Sequence, residues 1–233
     1  LRSLVGSEMC IRDRFILDTA ANYLTRPPKR SDVLSVFAGL RPLAAPRSEG
    51  KKTKEISRSH KLIREKSGLI TIIGGKWTTY RKMAQDTLDL AIRYMHIPTK
   101  DCITERYQIH GSRKNPDFSD PLYVYGTDAD EIRNLVASSP AMAEKLHPDY
   151  AYTVGEVTWL VRNEMPRTLE DVLARRLRIL FLDARAAMAM APKVAGILAT
   201  EWGKDETWTS AQVKAFNEVA SNYIPVSYTH LTL

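Results

Sequence analysis

The sequence has few cysteines and lacks a long apolar run. Only Cys10 and Cys102 occur in 233 residues, and Cys10 falls in residues 1–14, which we exclude below. With one remaining thiol, no disulfide can form within the chain, which suits a reducing compartment. No stretch approaches the roughly 18 to 20 consecutive apolar residues of a membrane-spanning helix. The composition therefore predicts neither a disulfide scaffold nor a chain that spans a membrane.

The sequence also lacks the glycine spacings of the common phosphate-binding loops. Neither the six-residue phosphate loop nor G-x-G-x-x-G is present. The excess of charge is mild: the formal net charge is +7, one unit of which falls in residues 1–14. A surface that faces phosphates, anionic lipid or nucleic acid would carry this excess, and so would an ordinary solvated surface rich in lysine. Charge leaves both interpretations open.

The two ends of the chain are related as complementary DNA strands. Residues 7–13 read SEMCIRD and residues 226–232 read VSYTHLT. Permitted codons for the first, AGT GAG ATG TGT ATA AGA GAC, have a reverse complement that encodes the second. No pressure on protein structure produces such a relation, which resembles a sequencing adapter translated in opposite orientations. We therefore expect residues 1–14 and 226–233 to be non-native and exclude them from the fold interpretation.

The first half of the remaining chain combines strand and helix patterns. Apolar spacing predicts a helix over residues 15–24, and the run VLSVFAG at 33–39 is typical of a buried strand. Residues 55–63 alternate in the manner of a strand, and residues 69–73 form a short apolar strand. Helical spacing over residues 80–92 follows a pair of glycines. The chain therefore runs strand, glycine turn, helix at this point.

Only helical patterns follow the turn-rich linker at 111–120. Pro192 is expected to end or kink a long helix that begins near residue 169. Capping residues predict where the helices of this region begin: Thr127, Thr153 with Glu156, Thr168, and Thr209 or Ser210. We interpret residues 121–225 as a separate, all-helical domain.

The paired glycines carry the clearest chemical signal. Gly74 and Gly75 remove side chains between a strand and a helix, where free N–H groups and the positive end of the helix dipole favour an anion or a carbonyl oxygen. Lys76 adds a full positive charge, and Thr78 and Thr79 add hydroxyl groups. A tight turn with a surface lysine explains the same residues. For Gly-Gly-Lys alone this plainer interpretation is favoured.

A wider set of motifs resembles one family. GLRPL at 39–43, EISRSH at 55–60 and GGKWTTYRKMA at 74–84 occur in the order and spacing of the FAD-dependent, quinone-linked glycerol-3-phosphate dehydrogenases. Residues 157–187 look like the C-terminal domain of that family. The resemblance covers residues 15–224.

The resemblance implies an α+β fold. Residues 15–110 would be the C-terminal part of an FAD- and substrate-binding domain, an α/β flavoprotein remnant that holds substrate-domain strands and the last strand-turn-helix of the FAD-binding domain. Residues 111–120 would be a linker, and residues 121–225 an all-α C-terminal domain. The family's N-terminal dinucleotide fold and its base-bearing middle segment are absent from the sequence, so we do not expect this chain to turn over alone.

By the same resemblance, two arginines bind the substrate. Arg41 would contact the phosphate end or the hydroxyls of the substrate, and Arg58 would be a second arginine at the phosphate, for which a guanidinium fork is suited. A surface arginine stiffened by Pro42 and a cross-strand ion pair explain these two residues without a ligand.

The resemblance assigns the cofactor contacts to the glycine turn. Gly74, Gly75 and Thr78 would approach the pyrimidine edge of the flavin, where reduction places negative charge around N1 and O2. Lys76 would act as the catalytic group by stabilising that charge, and would also contact the substrate. His60 and His96, for which no partner is evident, are expected to be structural or exposed.

The implied reaction is hydride transfer from C2 of sn-glycerol 3-phosphate to FAD, which gives dihydroxyacetone phosphate, with electrons passed to quinone. The resemblance places the enzyme in the cytoplasm, peripherally on the inner membrane, with a possible homodimer and no nucleic-acid partner. Two alternatives stay open: a glycerophosphate oxidase that uses oxygen, and a basic helical interaction module without a flavin role. For Arg175 and Arg176 we expect pairing with Glu170, Asp171 and Asp183 rather than a basic ridge.

Overall fold

The computed structural model describes residues 15–39 and 59–225, which fall into two units. Residues 15–38 and 111–225 belong to a helical unit, and residues 59–110 belong to a hairpin-helix unit. The sequence grouped 15–38 with 59–110, whereas the structure places 15–38 with the helices. The α+β class with a helical C-terminal part is confirmed.

The hairpin-helix unit begins with two antiparallel strands, β1 (His60–Arg64) and β2 (Ile70–Gly74). The register pairs His60 with Gly74 and Arg64 with Ile70. Gly68 closes the hairpin turn at φ +90°, and its N–H donates to the Glu65 carbonyl. Both predicted strands are confirmed within the described residues, and residues 55–58 of the first lie outside them.

A helix follows β2 directly. A 3₁₀ turn at Trp77–Thr79 leads into α2, Tyr80–Tyr94. His60 Nε2 lies 3.0 Å from Asp86 Oδ2 and so joins β1 to α2, which confirms a structural role for this histidine. His96 is exposed, as expected, just beyond the end of the helix. The predicted succession of strand, glycine turn and helix is confirmed.

The helical unit contains seven α-helices among the described residues. A helix over residues 15–21, α1, precedes a 3₁₀ turn at Arg30–Asp32. The others are α3 (Ala129–Ala137), α4 (Pro140–Ala143), α5 (Val154–Asn163), α6 (Ile179–Leu182), α7 (Ala184–Trp202) and α8 (Glu206–Ala220). A π-helical turn occupies Asp171–Arg176, and 3₁₀ turns occupy Tyr123–Asp128 and Ser221–Tyr223.

The core of the helical unit forms around α5 and α7. Val157 and Leu160 on α5 and Met190, Val194 and Leu198 on α7 are fully buried. Apolar residues recur at helical spacing on both helices, so each presents a continuous apolar face to its neighbours. Burial of these apolar faces stabilises the arrangement of α5 and α7 within the helical unit.

The prediction of a buried strand at 33–39 is wrong. No residue of this segment is in a strand, and Phe37 is 64% exposed. Its backbone bonds go to helical elements instead: the Val36 N–H donates to the Tyr223 carbonyl, and the Ala184 N–H donates to the Leu34 carbonyl. The Ser35 hydroxyl donates to the Leu180 carbonyl at 2.7 Å. The Val36 N–H and the Leu34 carbonyl are therefore bonded to helical elements and not to a neighbouring strand.

The capping predictions are confirmed in part. The Thr153 hydroxyl accepts the Glu156 N–H, as predicted, and the Thr168 hydroxyl accepts the Asp171 N–H. Thr127 does not cap α3, because Asp128 precedes that helix and the Thr127 N–H donates to the Gly111 carbonyl.

The last helix begins earlier than expected. Asp205, rather than Thr209 or Ser210, caps α8, since its carboxylate accepts the Trp208 N–H at 2.8 Å. An aspartate at this position also complements the positive end of the helix dipole.

The predicted long helix is broken twice, but not at the proline. Arg178 adopts φ +60° and separates the π-helical turn from α6, and Asp183 separates α6 from α7. Pro192 was expected to end or kink the helix, and it does not end it, because α7 continues through this residue to Trp202. Full burial of Ala191 and Val194 on either side offsets the lost backbone hydrogen bond.

Candidate functional site

The turn between β2 and α2 requires glycine at two consecutive positions. Gly74 has φ +75° and Gly75 has φ +88°, values that side-chain-bearing residues rarely adopt. A Cβ atom on Gly75 would lie 2.6 Å from Met83 Sδ and 3.3 Å from His60 Cβ. The turn therefore explains both glycines without a ligand, and close packing against α2 is a further requirement at Gly75.

Lys76 occupies the start of the helical segment. Its backbone is extended, and its carbonyl accepts both the Thr79 N–H and the Thr79 hydroxyl at 3.0 Å. The Thr79 N–H is the first donor that bonds within this turn. The N–H groups of Lys76, Trp77 and Thr78 precede it in the chain, and N–H groups at the start of a helix have no intrahelical partners. The first turn therefore offers backbone donors next to a lysine.

The Lys76 ammonium group is exposed, and no carboxylate among the described residues forms an ion pair with it. Lys82, one turn further along α2, is instead paired with Asp86 at 3.0 Å. Thr78 is exposed in the 3₁₀ turn. Of the two lysines near the turn, Lys76 is thus the one whose charge is available to a ligand.

A groove of about 790 Å³ opens at this turn. Its polar end is formed by Gly74, Gly75 and Lys76, and its walls are apolar. The wall residues are Ile72, Trp77, Tyr80, Met83, Ala84, Thr87 and Leu88. A groove with apolar walls and a few donors at one end suits a flat organic ring with a polar edge.

The wall of the groove contains residues that sequence reasoning missed. Trp77 is 86% exposed and stacks on Tyr80, with ring centroids 5.8 Å apart. Tyr80, Met83 and Leu88 lie on one face of α2, which periodicity had marked as apolar without showing that this face stays open. In the sequence, the available signal was the presence of two aromatic residues, Trp77 and Tyr80, at the start of the predicted helix.

The structure brings four of the predicted site residues together. Gly74, Gly75 and Lys76 line the groove, and Thr78 follows them in the 3₁₀ turn. Arg41 and Arg58, the predicted phosphate contacts, lie outside the described residues. Their position relative to the turn therefore remains a prediction.

Three further results bear on the sequence interpretation. Arg175 pairs with Glu170 at 2.8 Å and with Asp171 at 3.0 Å, as predicted. Arg176 lies 3.2 Å from a Glu164 carboxylate oxygen, and the third predicted partner, Asp183, instead accepts the Ala186 N–H. The described residues include no group of three or more side chains that could hold a metal ion. Nor is any described helix long and apolar enough to cross a membrane.

The chain belongs to a known family. Residues 70–209 match the family described as the C-terminal domain of alpha-glycerophosphate oxidase. This match runs from β2 through the glycine turn and into α8, so it covers the groove and most of the helical unit.

Individual relatives are named as mitochondrial glycerol-3-phosphate dehydrogenases. The chain is 32% identical over 255 residues to one from Arabidopsis thaliana, 35% identical over 237 residues to a probable one from Caenorhabditis elegans, and 31% identical over 236 residues to one from Mesocricetus auratus. Each alignment covers 90% of this chain, but only 40%, 31% and 31% of the respective relative. The chain therefore spans well under half the length of these relatives.

Proposed function

We propose that this chain is the C-terminal part of an FAD-dependent glycerol-3-phosphate dehydrogenase, which oxidises sn-glycerol 3-phosphate to dihydroxyacetone phosphate and passes electrons to quinone. The family match and the names of the relatives support the substrate and the reaction class. The observation that carries the proposal is the groove at the glycine turn, with the available Lys76 ammonium at its polar end.

The residues of this groove fit a flavin. Backbone donors and an ammonium group lie at one end, and an indole and a phenol ring lie along a wall. FAD, when bound, accepts a hydride from the substrate and gains negative charge along the edge that carries N1 and O2. Lys76 and the N–H groups of the first turn would hold that edge.

Lys76 contributes electrostatic stabilisation rather than proton transfer. A positive charge and the positive end of a helix favour the more negative state of any group bound at the turn. They therefore raise its reduction potential without a change in the protonation of the lysine. Arg41 and Arg58 would bind the substrate phosphate, for which a guanidinium fork supplies paired donors.

A second candidate function is oxidation of the same substrate with oxygen as the acceptor. The matched family, which is the C-terminal domain of an oxidase, favours this candidate. The relatives are named as dehydrogenases, and for this chain we propose quinone as the acceptor and peripheral attachment to the inner membrane. Quinone-dye reduction and peroxide formation, compared in a full-length chain, separate the two candidates, and stoichiometric peroxide would favour the oxidase.

The role of Lys76 is tested in a chain extended to the full length of its relatives. We expect Lys76→Ala to lower the reduction potential of bound FAD by about 30 to 60 mV, which corresponds to the loss of one charge-assisted interaction. Lys82→Ala removes a lysine whose charge Asp86 already neutralises, and should leave the potential nearly unchanged. Equal potentials in the two variants and the parent chain would remove Lys76 from the site.

A further inference from the structure

The helical unit contains a groove of its own, of about 620 Å³. Its lining residues lie on α3, on α4, at the start of α5, in the segment that joins α4 to α5, and at 120–122, ahead of the 3₁₀ turn that precedes α3. Leu122, Val136 and Ala143 are among its apolar lining residues. Its volume falls in the range of small-molecule sites.

A buried carboxylate lines this groove. Glu156 is only 4% exposed, and its Oε1 accepts the Tyr125 hydroxyl at 2.6 Å. Among the described residues, no lysine, arginine or histidine forms an ion pair with Glu156. Such a carboxylate is costly to bury in its ionised form without a cationic partner.

The remaining charges of the groove cancel. Arg133 is bound by Asp120, which also lines the groove, and by Asp130 on the same helix. Glu156 therefore leaves the groove with a net negative charge that no described side chain neutralises. An anionic ligand is disfavoured by this charge, and a neutral apolar ligand would leave the carboxylate unpaired.

Two tyrosine rings complete the lining. Tyr150 and Tyr152 stack with centroids 6.3 Å apart and an interplanar angle of 20°. Their hydroxyl groups are held elsewhere, since Tyr150 donates to Asp183 Oδ2 at 3.0 Å and Tyr152 donates to the Leu177 carbonyl at 2.9 Å. Their rings, rather than their hydroxyls, are thus left for a ligand, and the face of an aromatic ring attracts a cation.

We propose that this groove binds a small organic ammonium ion with an apolar body. The ammonium group would pair with the Glu156 carboxylate, and the apolar body would lie against Leu122, Val136 and the tyrosine rings. Charge complementarity selects a cation, and the apolar walls select an alkyl or aryl amine over an inorganic cation. Neither the family match nor the names of the relatives assigns such a site.

The test uses hexylammonium as the probe and titration calorimetry on the full chain as the measurement. We expect saturable binding of hexylammonium, and much weaker binding of hexanol and hexanoate, which share the apolar chain but lack the positive charge. No saturable binding of hexylammonium, or equal binding of hexanol, overturns the proposal.

Two glutamate variants show whether Glu156 supplies the charge. Glu156→Gln can still accept the Tyr125 hydroxyl but cannot ionise, and we expect it to weaken hexylammonium binding by about tenfold or more. Glu131→Gln makes the same charge change on α3 outside the groove lining, and it keeps the acceptor for Trp159 Nε1. It should bind as the parent chain does. Equal loss in both variants would show a general charge effect and overturn the proposal.

A steric variant keeps the test valid if Glu156→Gln does not fold. Ala143 is exposed and lines the groove, so Ala143→Leu should block the groove without disturbing the core. We expect it to reduce hexylammonium binding by about tenfold or more while the thermal unfolding midpoint stays close to that of the parent. Unchanged binding in this variant would show that the probe binds elsewhere.

Discussion

The two units differ in how much of their own surface they bury. None of the residues 59–110 is fully buried, and Trp77, Tyr80 and Leu88 all expose more than half of their surface. In the helical unit, by contrast, Val157, Leu160 and many neighbours form a closed core. Because burial of apolar surface is the main stabilising contribution, the helical unit has the means to fold by itself, whereas the hairpin-helix unit has little.

The unit that contains most of the buried core is therefore not the unit that contains the proposed flavin site. The candidate flavin groove lies in the unit with the smaller core, and its exposed apolar wall is the surface that a bound ring system would cover. Regions with few buried contacts open at low free energy. Three pairs of substitutions, each a test variant and its control, follow from the largest expected effect to the smallest.

Removal of a core leucine should have the largest effect. Leu160→Ala deletes a fully buried side chain, and we expect it to lower the free energy of unfolding of the helical unit by about 2 to 5 kcal/mol. Leu88→Ala, at a position that is 62% exposed, should change it by less than about 0.5 kcal/mol. Urea unfolding followed by circular dichroism measures both. Similar losses would mean that the two units share one core.

Substitution of Gly75 should have the next largest effect. Gly75→Ala combines a positive φ with a contact to Met83, and we expect it to destabilise the hairpin-helix unit by roughly 2 to 4 kcal/mol. Hydrogen exchange of α2 amides measures this loss. Gly68→Ala is the matched control, since Gly68 also has positive φ but no atom within 4 Å of the added Cβ.

A double variant isolates the packing contribution. Met83→Ala should recover part of the loss in Gly75→Ala, and it should recover nothing in Gly68→Ala. An equal cost for the two glycine substitutions would show that the close packing of Gly75 against α2 contributes little, and that backbone conformation alone requires glycine there.

Glu156 should make the stability of the helical unit depend on pH. Burial raises the pKa of Glu156 to about 6, while the Tyr125 hydroxyl and the Thr153 backbone N–H lower it by less. Since the folded state holds the proton more tightly than the unfolded state, this contribution is complete below the ordinary pKa of 4.5 and is lost as the pH rises through about 6. The loss amounts to about 2 kcal/mol.

Glu156→Gln cannot ionise and should remove this part of the pH dependence. Urea unfolding of the parent and the variant between pH 4 and pH 8 measures the difference, which should favour the variant more as the pH rises. Glu131→Gln, at an exposed glutamate of the same unit, should leave the pH profile unchanged. A parent profile parallel to that of Glu156→Gln would contradict the raised pKa.

Local patterns were sufficient for most elements of the fold and for part of the site. The strands near residues 60 and 70, the helix after Gly75 and the Thr153 cap were all predicted from spacing and residue type. The ion pairs of Arg175 were predicted because their partners lie one turn away on the same segment. The apolar wall of the groove was not predicted, because periodicity identifies an apolar face without showing what covers it.

The sequence by itself determined most of the segments that form strands and helices, and that a cation follows the glycine turn, because these depend on contacts between near neighbours. Only the tertiary structure decided that residues 33–39 bind the helical unit instead of joining a sheet, and that α7 continues through Pro192. It also decided that Glu156, which was predicted only as part of a capping box with Thr153, lies buried against Tyr125. Each of these outcomes depends on residues distant in sequence, whose hydrogen bonds and buried surface outweigh the local preference.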